Sequence, residues 1–322
     1  GPMTHRRTDP PGAASAGSPA AGARASEATS SAARGRGAPA SGVHAHEMQA
    51  TFRYLRLAII LLTLLLGVGV GMQIAADGGA VLMSVSAYYF TGARDVFVAS
   101  LCAIGACLII HRGRSDTEDA LLNLSGYLAF VVAFVPTTPA QAVYDPGAQV
   151  AQVPIAPDVG ASITQNTWAA LAVGLVAFVL EMVLMPQRER RRHTRQGAVV
   201  RLAGAVGYLV LAGVFIFARE PFFTYGHTIA AVLLFAGILG VVGVNAMALS
   251  RYRAECRMSR RRQWANWYTG GFVLMLATVA VVAGPVRALV PHWIFVLEAA
   301  LIVQFLAFWV TQTVERWRAP MI

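Results

Sequence analysis

The sequence predicts an all-α protein, an integral membrane helical bundle of eight transmembrane helices with both termini on the cytoplasmic side. Three observations carry that prediction. The chain is 56% hydrophobic and only 13% charged, about half the charged share of an ordinary soluble domain. It contains eight apolar stretches, each close to the roughly 20 helical residues that a bilayer core requires. Its basic residues, all arginine, are spread unevenly along the chain, in the pattern that membrane insertion imposes.

The first 50 residues are rich in Ala, Gly, Ser, Pro and Arg and almost free of large apolar side chains. Such a segment buries too little surface to offset its conformational entropy, so it is expected to be a disordered cytoplasmic tail. The remaining residues, 51–322, form the expected transmembrane domain. Its predicted spans are 53–76, 95–111, 120–137, 166–186, 200–218, 223–249, 267–290 and 292–314. Apolar residues run all round each stretch rather than along one stripe, as lipid-embedded helices require.

Charge then orients the bundle. With the N-terminus inside, 23 of the 26 arginines fall on the cytoplasmic side, where short loops retain positive charge. Arg188, Arg190, Arg191, Arg192, Arg195 and Arg201 follow the fourth span, and Arg251, Arg253, Arg257, Arg260, Arg261 and Arg262 follow the sixth. Only Arg94, Arg219 and Arg287 lie outside. Topology and attraction to anionic membrane lipids account for the net charge of +10, so no nucleic-acid partner is expected. The expected location is a bacterial cytoplasmic (inner) membrane. A protein partner, if one binds, would use the 1–50 tail or the basic cytoplasmic loops. The three cysteines show neither a disulfide framework nor a zinc-ligand spacing.

Two outer loops are long. Residues 77–94 are half polar and carry Leu82, Met83, Tyr88, Tyr89 and Phe90, which suits a short re-entrant or interfacial helix. Residues 137–165 contain several prolines and no basic residue, which suits an irregular cap. Trp168, Trp264, Trp267, Trp293, Trp309 and Trp317 sit near span ends, as an interfacial belt requires.

Ionisable groups within spans are costly in lipid and mark candidate sites. On this topology the outer leaflet collects Ser84, Ser86, Tyr88, Tyr89, Arg94, Asp95, Glu220, His227, Arg287, His292 and Glu298. Glu298 lies about two turns into the eighth span, where an unpaired carboxylate is expensive. Arg287, across a short link, is its expected ion-pair partner. Asp95 is placed to complement a helix N-terminus, and Tyr88 and Tyr89 also suit interfacial anchors. A metal site would have to be built from His227, His292 and Asp95, which show no paired spacing. A serine hydrolase using Ser84 or Ser86 lacks a nucleophile-elbow signal. Deeper polar groups are few: Gln304 at mid-membrane, and Asn123, Glu181 and Asn245 toward the cytoplasmic ends.

The run from Ser84 to Val98, SVSAYYFTGARDVFV, and the run from His292 to Glu298, HWIFVLE, resemble signatures of a family of bacterial polytopic membrane proteins. More loosely, an outer cluster of Ser, His and Asp on a multi-span bundle is similar to the alkaline-ceramidase-like membrane hydrolases, whose paired His-x-x-x-His is absent here. That second resemblance implies a metal-dependent hydrolase or lipid-modifying enzyme. The leading expectation is an outward-facing polar pocket that handles a lipid-like or small amphipathic molecule. A transporter or channel, and a scaffold subunit of a membrane complex, are the other expectations.

Overall fold

The computed structural model describes residues 38–137, 157–184 and 194–318. The chain divides into two compact units, Gly1–Thr51 and Phe52–Ile322. Nine α-helices lie among the described residues: α1 (Ala38–Ala76), α2 (Arg94–Ile110), α3 (Asp116–Phe134), α4 (Pro157–Leu184), α5 (Arg195–Phe217), α6 (Arg219–Glu255), α7 (Arg260–Trp264), α8 (Trp267–Ala283) and α9 (Trp293–Arg318). Two short 3-10 helices, Val85–Phe90 and Val286–Ala288, complete the described secondary structure.

The protein is all-helical in these residues, and six helices are long and apolar enough to cross a membrane: α1, α4, α5, α6, α8 and α9. The other two predicted spans correspond to α2 and α3, with 17 and 19 residues. At the usual rise these extend about 25 and 28 Å. The first turn of α3 carries Asp116, Glu118 and Asp119, which complement the helix N-terminus.

Local sequence explains where the helices begin. Ser115 accepts a hydrogen bond from the Glu118 backbone N–H at 3.2 Å and caps α3. Thr194 accepts from Gly197 N at 3.0 Å and caps α5, and Asn266 accepts from Thr269 N at 2.9 Å and caps α8. Each satisfies a backbone donor that the first helical turn leaves open.

The α3 helix occupies the middle of the bundle, packed on α2 and α6. Glycine permits the first of these contacts. A Cβ on Gly105 would stand 2.7 Å from the Gly126 carbonyl oxygen, and one on Gly126 would stand 2.6 Å from the Gly105 oxygen. The two backbones therefore touch directly. Leu122, Val131, Val132, Ile238, Val241 and Val242 fill the centre. By contrast α4 and α5 present Val173, Val179, Leu202, Leu209 and Phe217 outward, as lipid-facing helices do.

Several boundaries differ from the sequence expectation. Part of the expected tail is helical: α1 starts at Ala38, where Ala, Glu, Met and Gln are good helix formers. Residues 1–37 lie outside the described residues. So does most of the expected 137–165 cap, although α4 already begins at Pro157, a residue suited to a first helical position. The fifth and sixth spans are separated by a single residue, Ala218, whose φ of −143° and ψ of 64° break the helix. The seventh ends at Ala283, before Gly284 and Pro285, rather than at 290.

Candidate ligand cavity and buried polar network

The 77–94 loop folds inward. Ser84 caps the 3-10 helix by accepting from Ala87 N at 3.1 Å, and Tyr88 and Tyr89 are 0% and 2% exposed. The tyrosines are therefore core residues, and their hydroxyls are engaged. Leu82 N donates to the Tyr88 hydroxyl at 3.4 Å, and Arg94 donates to the Tyr89 hydroxyl at 2.7 Å while stacking 4.4 Å from its ring centre. Burial pushes the Tyr88 phenol above its ordinary range.

Backbone hydrogen bonds fasten this loop to α9. Phe295 N donates to the Met83 carbonyl at 2.9 Å. Val85 N donates to a Glu298 carboxylate oxygen at 2.7 Å. Glu298 thus accepts from the first turn of the 3-10 helix, where backbone donors have no partner within the helix. The expected Arg287–Glu298 ion pair is not formed. Arg287 is exposed, its guanidinium 5.8 Å from the centre of the Trp293 ring. Position 298 found its partner in a backbone N–H far along the chain, which side-chain matching cannot reveal.

Glu298 and Ser86 stand at one end of a cavity with about 720 Å³ of space not filled by atoms, part of it open. Its walls come from α1, α2, α3, α6 and α9 and are apolar apart from Thr63, Ser86 and Glu298. From Phe97 to Leu108 it follows α2, a distance of about 16 Å.

The other candidates lie apart. His227 is buried and donates through Nδ1 to the Val135 carbonyl at 2.5 Å, while its Nε2 has no hydrogen-bond partner among the described residues. Asp95 and Glu220 are exposed in the first turns of α2 and α6. His292 is half-buried just before α9. Among the described residues no three of His, Cys, Asp and Glu converge as metal ligands would, so His227, His292 and Asp95 do not form a common site.

A second polar cluster, at the far end of the bundle, escaped the sequence reading. Glu118 is 3% exposed. It accepts from Asn245 Nδ2 at 2.8 Å and from Arg114 N at 2.7 Å. Gln312 Nε2 donates to Asn245 Oδ1 at 3.3 Å. Arg56 donates to the Gln312 carbonyl at 3.4 Å and to His111 Nε2 at 3.2 Å. Because arginine has no acceptor, that histidine nitrogen carries a lone pair. Trp309 is buried against His111, ring centres 4.9 Å apart, and does not belong to an interfacial belt. Nearby, Arg114 pairs with Glu315 at 3.9 Å, and Tyr268 donates to Glu315. Only Asn245 of this group stood out among the deep polar residues. Asn123 is exposed, and Gln304 instead donates to Thr278 at 2.7 Å. The Glu181 side chain lies outside the described residues.

At the same end, Asp116 accepts from Thr194 N at 2.7 Å and pairs with Arg201. Burial works against its charge, but the bonds from Arg201 and Thr194 outweigh that and hold its carboxyl below the ordinary range.

Comparison with protein-family models, with curated proteins and with solved structures returned no match.

Proposed function

We propose that this chain is an eight-span protein of a bacterial cytoplasmic membrane, with both termini inside, whose cavity holds a lipid-like or small amphipathic molecule. The cavity carries the reading: an apolar volume lined at one end by a carboxylate and a serine. Its walls suit an apolar chain, and its end suits a polar head.

The hydrogen bonds support the crossing pattern. The start of the first predicted span, midway along α1, and the starts of α3 and α8 meet the later parts of α2, α6 and α9 through Arg56, Glu118, Tyr268, His111, Asn245, Gln312 and Glu315. The starts of α3 and α5 meet through Asp116 and Thr194. At the opposite end the loop after α1 meets the start of α9 through Val85 and Glu298, and the end of α3 meets the start of α6 through Val135 and His227. Eight alternating crossings produce that sorting. The arginine distribution puts the first end in the cytoplasm, and the Glu298 end in the outer leaflet.

Native mass spectrometry of the purified protein tests the binding. The wild type is expected to retain an amphiphile. Leu234→Trp, which fills the middle of the cavity, is expected to lose it. Equal retention by both proteins would place the amphiphile elsewhere, and an empty wild type would contradict the reading.

A further inference from the structure

Glu298 is half-buried beside an apolar cavity and lacks the counter-cation that a carboxylate in such surroundings ordinarily has. Its carboxylate receives the Val85 N–H at 2.7 Å and a backbone bond from Ser86, and among the described residues no arginine or histidine side chain pairs with it. Three basic groups of the same region have other partners. Arg94 donates to Tyr89 and stacks on its ring, Arg287 stands over Trp293, and His227 faces Val135. A carboxylate in apolar surroundings without a counter-cation is unfavourable.

The cavity adds a direction. Glu298 and Ser86 supply its polar end, and everything beyond them except Thr63 is hydrocarbon or aromatic, down to Leu108 and Phe305. A molecule lying along α2 with its chain among those residues would bring its head to the carboxylate.

Resting on the amphiphile-binding reading, we infer that the ligand is a cationic amphiphile, a long-chain amine whose ammonium pairs with Glu298 and whose apolar chain extends toward Leu108 and Phe305. The ammonium donates to the carboxylate and to Ser86 Oγ and supplies a positive charge that no described side chain brings to it. An anionic head, carboxylate or phosphate, would meet like charge and is rejected by the same residue. A hydroxyl head donates without charge and ranks between them.

The test uses the full chain in phosphatidylcholine nanodiscs, with empty discs as the blank. Three probes share one chain and a terminal diazirine: dodecylamine, dodecanol and dodecanoate. Saturable photolabelling is measured by competition with each unlabelled parent compound, and labelled peptides are identified by mass spectrometry. In the wild type the amine is expected to compete about tenfold more strongly than the alcohol, and the alcohol more strongly than the carboxylate. Labels are expected on α2 near Leu108 and on α9 near Phe305. Glu298→Gln keeps an oxygen to accept from Val85, and it is expected to bring the amine down to the level of the alcohol. The ranking on the wild type needs no variant, so it decides the matter even if Glu298→Gln does not fold. Equal competition by the three heads, or preference for the carboxylate, overturns the cationic assignment and leaves amphiphile binding standing. Absence of saturable labelling by every probe overturns both.

Discussion

Glu298 shows how one side chain can be legible in position and illegible in role. Its place inside an apolar stretch marks it as costly wherever it sits, and the sequence says so. Its partner is the backbone N–H of Val85, 213 positions away, and every residue but proline offers such a donor. Side-chain matching therefore selected Arg287, which faces Trp293 instead. Two outcomes follow. Glu298→Ala strands the Val85 donor and is expected to cost about 1–3 kcal/mol, read as a lower melting temperature in nanodiscs, whereas Glu298→Gln costs less. Arg287→Met is expected to leave stability nearly unchanged and to add independently to Glu298→Gln. A coupling between the two substitutions would restore the ion pair to the account.

Asp116 offers a second test at this scale. It precedes the apolar stretch of α3, and its bonds to Arg201 and Thr194 hold its folded carboxyl below the ordinary range despite burial. A carboxyl lowered on folding stabilises above its unfolded value, about 3.9, and that contribution is lost as pH falls through the folded value. Asp116→Asn is therefore expected to destabilise at neutral pH, with the difference from wild type shrinking as both are acidified below pH ~4. A difference that does not change with pH would remove the linkage.

At the scale of elements, most helices were legible because apolar length and capping residues act locally. The 3-10 helix was only half legible. A half-polar loop with two tyrosines fits an interfacial helix as well as a buried one, and contacts with α9 and the Tyr89–Arg94 bond decide between them. The Glu118 cluster was least legible. Glu118, Asn245 and Gln312 come together only after α3, α6 and α9 pack. Asn245→Leu, which removes the amide between Glu118 and Gln312, is expected to cost about 1–3 kcal/mol. The α2–α3 contact is equally specific. Gly126→Ala places a methyl group against the Gly105 carbonyl, and the forced separation of the helices is expected to cost about 1–3 kcal/mol in thermal or chemical unfolding. Unchanged stability would show that the backbones can part freely.

For the whole molecule, polar groups sort to two ends of the bundle. Glu298, Tyr89 and Arg94 lie at one, and Glu118, Arg56 and Asp116 at the other, with the cavity between. The sequence grouped Tyr89, Arg94 and Glu298 in one region, whereas the cavity depends on how five helices leave space, which no local pattern encodes. Thiol labelling in intact cells tests the crossing pattern directly, using Cys256 in the loop after α6 and Leu289→Cys in the loop before α9. Both positions are exposed. With Cys102 and Cys107 replaced, a membrane-impermeant maleimide is expected to modify Leu289→Cys from outside and Cys256 only after permeabilisation. Modification of Cys256 in intact cells, or protection of Leu289→Cys, would contradict the account.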